Sequence, residues 1–177
     1  MIKRHLFLTG QKQVGKSTLL RLLIQQCGLD CGGFETRPLL INGERRGFYL
    51  HALSDVSVFQ QDAVISVRLA QRLSVPVPEA FEQNGVAVLN AALTDSHPYV
   101  LMDEIGRLES RSAGFCTAVL SVLDGLKPVI GVLQDCQSDL VQQIKSRPDV
   151  QVIDVTPDNR DTLLPDLVAF IEKQTGV

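Results

Sequence analysis

Tryptophan is absent from the 177 residues, and aromatic side chains make up only 5% of them. Stacking platforms for single-stranded nucleic acid are therefore not suggested. Basic side chains are not in excess either: 17 Lys and Arg face 20 Asp and Glu, for a net charge of −3. A broad nucleic-acid footprint needs the opposite balance. No apolar run approaches the roughly 18 residues that would span a bilayer, so no membrane partner is expected. There is no CxxC pair, and His5, His51 and His97 lie far in sequence from Cys27, Cys31, Cys116 and Cys136. A zinc site would have to gather scattered ligands. Four reduced, mostly buried thiols are the expectation. Residues 1–9 are too short, and too soon followed by charged and Gly-rich sequence, to be a secretory signal; a cytoplasmic protein is expected.

What is present is an ordinary globular composition, 45% hydrophobic and 21% charged, in a length that suits a single domain over residues 1–177. His5 to Thr9 is a short apolar run that meets a glycine, and it reads as a buried strand. A helix is expected from about Gly15 to Gln26, with Leu19, Leu20, Leu22 and Leu23 as its apolar side and Gly28 as its stop. Phe34–Ile41 and Arg45–Leu53 flank Asn42-Gly43, the pair that tolerates positive φ at both centres of a tight turn. A β-hairpin follows. Ser54 to Ser74 is ambiguous between strand and helix. Val75-Pro76-Val77-Pro78 must be extended, and Pro78 can open a helix.

Phe81, Gly85, Val88, Leu89 and Ala92 recur at helical spacing until His97-Pro98 ends the pattern. Tyr99 to Met102 is a second apolar strand, running into Asp103-Glu104. Phe115, Val119, Val122, Leu123 and Leu126 mark the next helix. Strands over Pro128–Leu133 and Val150–Val155 enclose a helix near Asp139–Lys145. A last helix carries Leu163, Leu167, Phe170 and Ile171, kinked or restarted at Pro165. Apolar strands alternating with amphipathic helices predict an α/β fold: a mainly parallel sheet with helices on both faces, plus the antiparallel hairpin in the N-terminal half. Such sheets bind ligands at the carboxyl ends of their strands.

Gly10-Gln11-Lys12-Gln13-Val14-Gly15-Lys16-Ser17 satisfies GxxxxGK(S/T) at every required position, between a strand and a helix. The glycines let the loop curl so that successive N–H groups face inward as an anion nest. The helix N-terminus adds partial positive charge. Lys16 can reach β- and γ-phosphates, Ser17 can ligate Mg²⁺, and Thr18 can touch an α-phosphate. Asp103 stands where the magnesium-side acid of such a site belongs. Two adjacent carboxylates repel each other unless a cation is near, and Glu104 can take a proton from an attacking water. Asp103-Glu104-Ile105-Gly106 also fits the DxxG element of regulatory GTPases. Their base-reading (N/T)KxD tetrad is missing, and Asn159-Arg160-Asp161-Thr162 fails at the lysine and the spacing. A GTPase switch is disfavoured.

Three further blocks resemble a known family, the small stand-alone nucleoside-triphosphatases that include the cancer-related NTPase and its thermophilic relatives. Gly33-Phe34-Glu35-Thr36 followed by Gly47-Phe48 resembles its GFxT…GF hairpin. Asp103 to Glu109, with Ser112 and Phe115 behind, resembles its DEIGxxE..S..F block. Thr156 and Asn159-Arg160-Asp161 resemble its T..NRD block. The resemblance implies a P-loop NTPase of the RecA-like class, with an added strand and a glutamate beside the magnesium-side acid. It implies hydrolysis of ATP, GTP and other nucleoside triphosphates to diphosphate and phosphate with Mg²⁺ as cofactor. By position, Gly10 to Thr18 would hold the triphosphate, Asp103 would serve Mg²⁺, and Glu104 would be the base. Two positions depart from the pattern. Gln134 stands where members often carry a histidine, and Arg37-Pro38 replaces the Glu or Lys often seen after the hairpin threonine. Gln134 is kept as a candidate for orienting water or sensing the γ-phosphate.

An arginine usually meets the charge developing on a transferred phosphoryl group. Arg107 and Arg111 are candidates in cis; Arg37, Arg45 and Arg46 lie on or near the hairpin; Arg160 is a candidate for stacking on the base. Two other readings use the same loop. A small-molecule or nucleotide kinase would pass the γ-phosphoryl to an unidentified acceptor docked near the hairpin. A nucleotide-dependent binding module would turn over only with its partner.

Overall fold

The computed structural model describes residues 3–70, 73–107 and 111–175. Leu108 and Glu109 of the family-like block lie outside them. One eight-stranded sheet runs through the molecule in the order β5-β4-β3-β2-β6-β7-β1-β8. Its strands are β1 (His5–Thr9), β2 (Cys31–Ile41), β3 (Glu44–Ala52), β4 (Asp62–Ala70), β5 (Leu73–Pro76), β6 (Tyr99–Ile105), β7 (Val129–Leu133) and β8 (Val150–Asp154). The pairs β2–β6, β6–β7, β7–β1 and β1–β8 are parallel, while β2–β3, β3–β4 and β4–β5 are antiparallel.

In the central parallel strands β1, β6 and β7 both sheet faces are buried, which is why they read as unbroken apolar runs. Leu6, Leu8, Leu101, Ile130 and Val132 pack on one side with α1 (Lys16–Cys27) and α7 (Leu164–Thr175). Phe7, Val100, Met102, Val129 and Leu133 pack on the other. There they meet α4 (Val86–Thr94), α5 (Ala113–Asp124) and α6 (Asp139–Ser146). Each such side chain contributes about 1.5–3 kcal/mol on full burial. Phe115 of α5 joins these layers, with edge-to-face contacts to Phe34 and Phe81 at centroid distances of 5.8 and 5.3 Å.

The hairpin forms as expected, with Asn42 at φ 52° and Gly43 at φ 79°. Its surroundings differ from expectation. The ambiguous stretch gives one short turn of helix, α2 (Val58–Gln61), and then β4, which pairs with β3. β5 closes the edge of the sheet, and Pro76 is tolerated there because no further strand needs its missing N–H. The antiparallel part is thus three strands added to β2. Pro78 opens α3 (Pro78–Ala80), which continues through a π-helical turn (Phe81–Gly85) into α4.

Other departures are local. Leu22 is 46% exposed rather than part of the apolar side of α1, and Leu126 is 93% exposed, beyond the end of α5. Pro165 is the second residue of α7, where it starts the helix without a kink. Of the four free thiols only Cys136 is fully buried. Burial, aided by Asp30 and Glu35, pushes the Cys31 thiol up to about 12. No helix among the described residues is long and apolar enough to cross a membrane.

Candidate active site

The loop between β1 and α1 turns through Gly10 (φ 130°), Gln13 (φ 63°) and Gly15 (φ 111°). At Gly10 a side chain has no room as well as the wrong φ: a Cβ would lie 2.3 Å from the Val155 carbonyl oxygen of the neighbouring β8 end. Lys16, nearly buried, donates from Nζ to the carbonyls of Gly10 (2.9 Å) and Gln11 (2.8 Å). These two acceptors offset the cost of burying its ammonium. Val14 turns its side chain into the core beneath α1.

β7 lies between β1 and β6, the added strand that the resemblance implied. Asp103 and Glu104, joined by a cis peptide, fall inside β6 near its carboxyl end. Asp103 is 6% exposed, and its Oδ1 accepts from Ser17 Oγ at 3.0 Å. Burial pushes its carboxyl up to about 6, with Glu104 and Glu35 adding to the shift and the Ser17 hydrogen bond and Arg21 opposing it. Burial also raises Glu104 above the ordinary carboxylate range, while Lys16, Lys12 and a hydrogen bond from Gln134 hold it back. The Glu104 amide donates to Thr36 Oγ1 of β2 at 3.2 Å. Gln134, just past β7, accepts the Arg107 N–H at its Oε1 (3.3 Å). Gln134 therefore ties Glu104 to the turn that carries Arg107.

Two connected cavities open here. The smaller, about 330 Å³, is lined by Gly10, Gln11, Lys12, Lys16, Glu104, Arg107 and Gln134, with Asp135 and Cys136. The larger, about 610 Å³, shares Lys12, Lys16, Glu104, Arg107 and Gln134 with it. It extends past Gln13, Gly15, Ser17 and Thr18 to the antiparallel strands. The structure therefore brings the loop, Glu104, Arg107 and Gln134 together.

The other arginines divide. Arg160 stands against the outside of the loop, with Nη1 donating to the Val14 carbonyl at 3.4 Å, and it lines neither cavity. Its block forms a turn: the Thr156 amide donates to Asn159 Oδ1, and Asn159 Nδ2 donates to the Asp154 carbonyl. Arg37 is paired with Glu35 at 2.9 Å and Arg46 with Glu44 at 2.7 Å. Arg111 lines neither cavity, whereas Arg45 lines the larger one. Sequence reasoning missed Arg68, Ser66 and Ser74, which also line it. The alternation of Val64, Ser66, Arg68 and Ala70 was the available signal.

The sequence model of a family described as NTPase matches residues 5–168. The mouse cancer-related nucleoside-triphosphatase homolog is 34% identical over 97% of this chain and 98% of its own length. Nucleoside-triphosphatase THEP1 of Thermotoga petrophila is 29% identical over 97% and 94%. The solution structure of a human cancer-related nucleoside triphosphatase superposes with a TM-score of 0.74 at 30% identity, covering 96% of this chain and 98% of that one. The crystal structure of THEP1 from Aquifex aeolicus shares the fold, with a TM-score of 0.73 at 24% identity and coverage of 95% and 99%. With its phosphate loop, its inserted strand and a family match over nearly its whole length, the chain belongs to the NTPase family.

Proposed function

We propose that the chain is a magnesium-dependent nucleoside-triphosphatase that converts ATP and GTP to the diphosphate and inorganic phosphate. One observation carries the reading: Lys16, Glu104 and Gln134 face one cavity, and Ser17, lining the connected cleft, is bonded to a buried Asp103. Residues 10–18 hold the triphosphate through loop amides and the N-terminus of α1. Lys16 exchanges its two loop carbonyls for β- and γ-phosphate oxygens.

Ser17 Oγ and Asp103 Oδ1, 3.0 Å apart, form a small all-oxygen donor set of the kind Mg²⁺ takes. A cation there would offset the burial that chiefly raises the Asp103 carboxyl, and the lesser repulsion from Glu104 and Glu35. When bound, Mg²⁺ supplies charge neutralisation for the phosphates. Glu104 accepts the proton of the attacking water as the water oxygen bonds to the γ-phosphorus and the bond to the β–γ bridging oxygen breaks. Its raised affinity for protons suits it to that role. Gln134 holds the Glu104 carboxylate in place, and Arg107, lining both cavities, meets charge on the transferring group. Arg160 acts only through the loop, by its bond to Val14. Contacts to phosphate dominate the site, which supports acceptance of either purine base.

The test is phosphate release from Mg-ATP and Mg-GTP by wild type, Glu104→Gln and Lys16→Ala, with nucleotide binding measured separately. Glu104→Gln should bind nucleotide within a few-fold of wild type and lose roughly 100-fold or more in kcat. Hydrolysis by Lys16→Ala equal to wild type would overturn the reading.

A further inference from the structure

The larger cleft does not end at the phosphate loop. It continues over β3, β4 and β5, where Arg45, Phe48, Ser66, Arg68 and Ser74 line it. Four features there need explaining. Arg45 and Arg68 make no ion pair among the described residues, although both stand in one cleft. The Arg45 guanidinium lies 5.5 Å from the centroid of the Phe48 ring, an arrangement that holds a cation in place without neutralising it. Ser66 is 1% exposed, and its Oγ has no hydrogen-bond partner. A buried hydroxyl left without a partner is costly, so such groups usually mark a missing ligand or water. Finally, Glu104 and Thr36 stand where this wing meets the phosphate loop, and both line the cleft.

We propose that this wing is the docking site of a second substrate, a small hydroxyl compound bearing a phosphate or carboxylate, to which the γ-phosphoryl group is passed in place of water. The inference rests on the triphosphate site proposed above and deepens it. The anion of the acceptor pairs with Arg45 and Arg68, and Ser66 or Ser74 completes its hydrogen bonds. Its hydroxyl oxygen bonds to the γ-phosphorus as the bond to the β–γ bridging oxygen breaks. Glu104 takes the hydroxyl proton, and the nucleoside diphosphate leaves. The whole cleft, about 610 Å³, runs from the phosphate loop to these strands, so an acceptor in the wing lies beside the triphosphate. Two guanidiniums of one sign select an anion over a neutral sugar.

The experiment incubates the full chain with Mg-ATP labelled at the γ-phosphate and separates labelled inorganic phosphate from labelled acceptor. One arm offers the nucleoside 5′-monophosphates and sugar monophosphates; the other offers hydroxy acids. Wild type, Arg68→Gln and Arg45→Gln are compared by the ratio of acceptor labelling to phosphate release. The expected result is transfer in one arm, with that ratio falling at least tenfold in each variant and the KM for ATP moving less than threefold. The arm that supports transfer identifies the anion. Phosphate release without transfer in either arm overturns the proposal and leaves the hydrolase reading standing. An equal rise in the KM for ATP in both variants, with no transfer, assigns the wing to the nucleoside and also overturns it. Transfer without acceptor-free phosphate release supports the wing and overturns the hydrolase reading.

Discussion

The two halves of the sheet obey different rules. Every residue of β1 and β7 is buried, and β6 departs from that only at Glu104. In β3 and β4 buried and exposed residues mix, β5 has no buried residue, and Leu69, Leu73 and Val75 remain in solvent. The parallel half is covered by helices on both faces and carries the phosphate loop and the carboxylate pair. The antiparallel half has fewer buried positions and presents arginines and hydroxyls to the cleft. Rigid packing in one half pre-positions chemistry, whereas the thinner half can vary what it offers without disturbing the loop.

The largest effect should come from breaking the packed half. Phe115→Ala removes a fully buried ring that touches Phe34 and Phe81. It should cost about 3–5 kcal/mol in denaturant unfolding.

Next is acid. His5 of β1 is buried, and its Nδ1 accepts the Val129 N–H at 3.0 Å. Burial, helped by the charge of Arg4, lowers it from 6.5 to about 4. Between those values the unfolded chain binds a proton that the folded chain refuses, so stability is full above pH 6.5 and falls as the pH drops toward 4. The loss is at most about 3.5 kcal/mol. Asp103, raised to about 6, works in the opposite direction. The His5 contribution is therefore read as the difference in pH slope between wild type and His5→Gln; equal slopes would refute it.

The third effect belongs to the site at the boundary of the halves. On the proposed reading, Mg²⁺ held at Asp103 would have to displace the proton that this carboxyl, raised to about 6, carries below that pH. The enhancement of ADP affinity by Mg²⁺ should thus fall about tenfold for each pH unit below that value and level off above it. Calorimetric titration of Mg-ADP at a series of pH values checks this, and Asp103→Asn should reduce the dependence to the part set by the ADP terminal phosphate, which itself titrates at about pH 6.

The smallest effect sharpens the contrast. Leu69 of β4 is 65% exposed, so Leu69→Ala should change stability by no more than about 0.5 kcal/mol. A loss like that of Phe115→Ala would mean that the antiparallel face is covered in solution.

The phosphate loop was legible because its conformation is local: glycines, a lysine and a helix start within eight residues. The hairpin was legible for the same reason, since Asn42-Gly43 specifies its own turn. Strand β4 was not. Its pattern slips at the irregularity opposite Phe48/Tyr49, so Ile65 and Ser66 are both buried and the alternation breaks. Leu126 fits the helical spacing of α5 but lies beyond its end and in solvent, so periodicity alone carried the helix pattern too far.

By itself the sequence determined that a strand, a phosphate-binding loop and a helix follow one another, and that two adjacent carboxylates stand near the end of an apolar strand, which the structure extends through them to Ile105. These depend on neighbours along the chain, where φ preferences and side-chain spacing act directly. Only the tertiary structure decided which acid meets Ser17 across 86 residues, and that Gln134 holds Glu104. It likewise decided that Arg68 rather than Arg37 or Arg46 joins Arg45 at the cleft. Such pairings follow from strand order and register, which satisfy buried backbone hydrogen bonds over the whole sheet and leave no trace in any single segment.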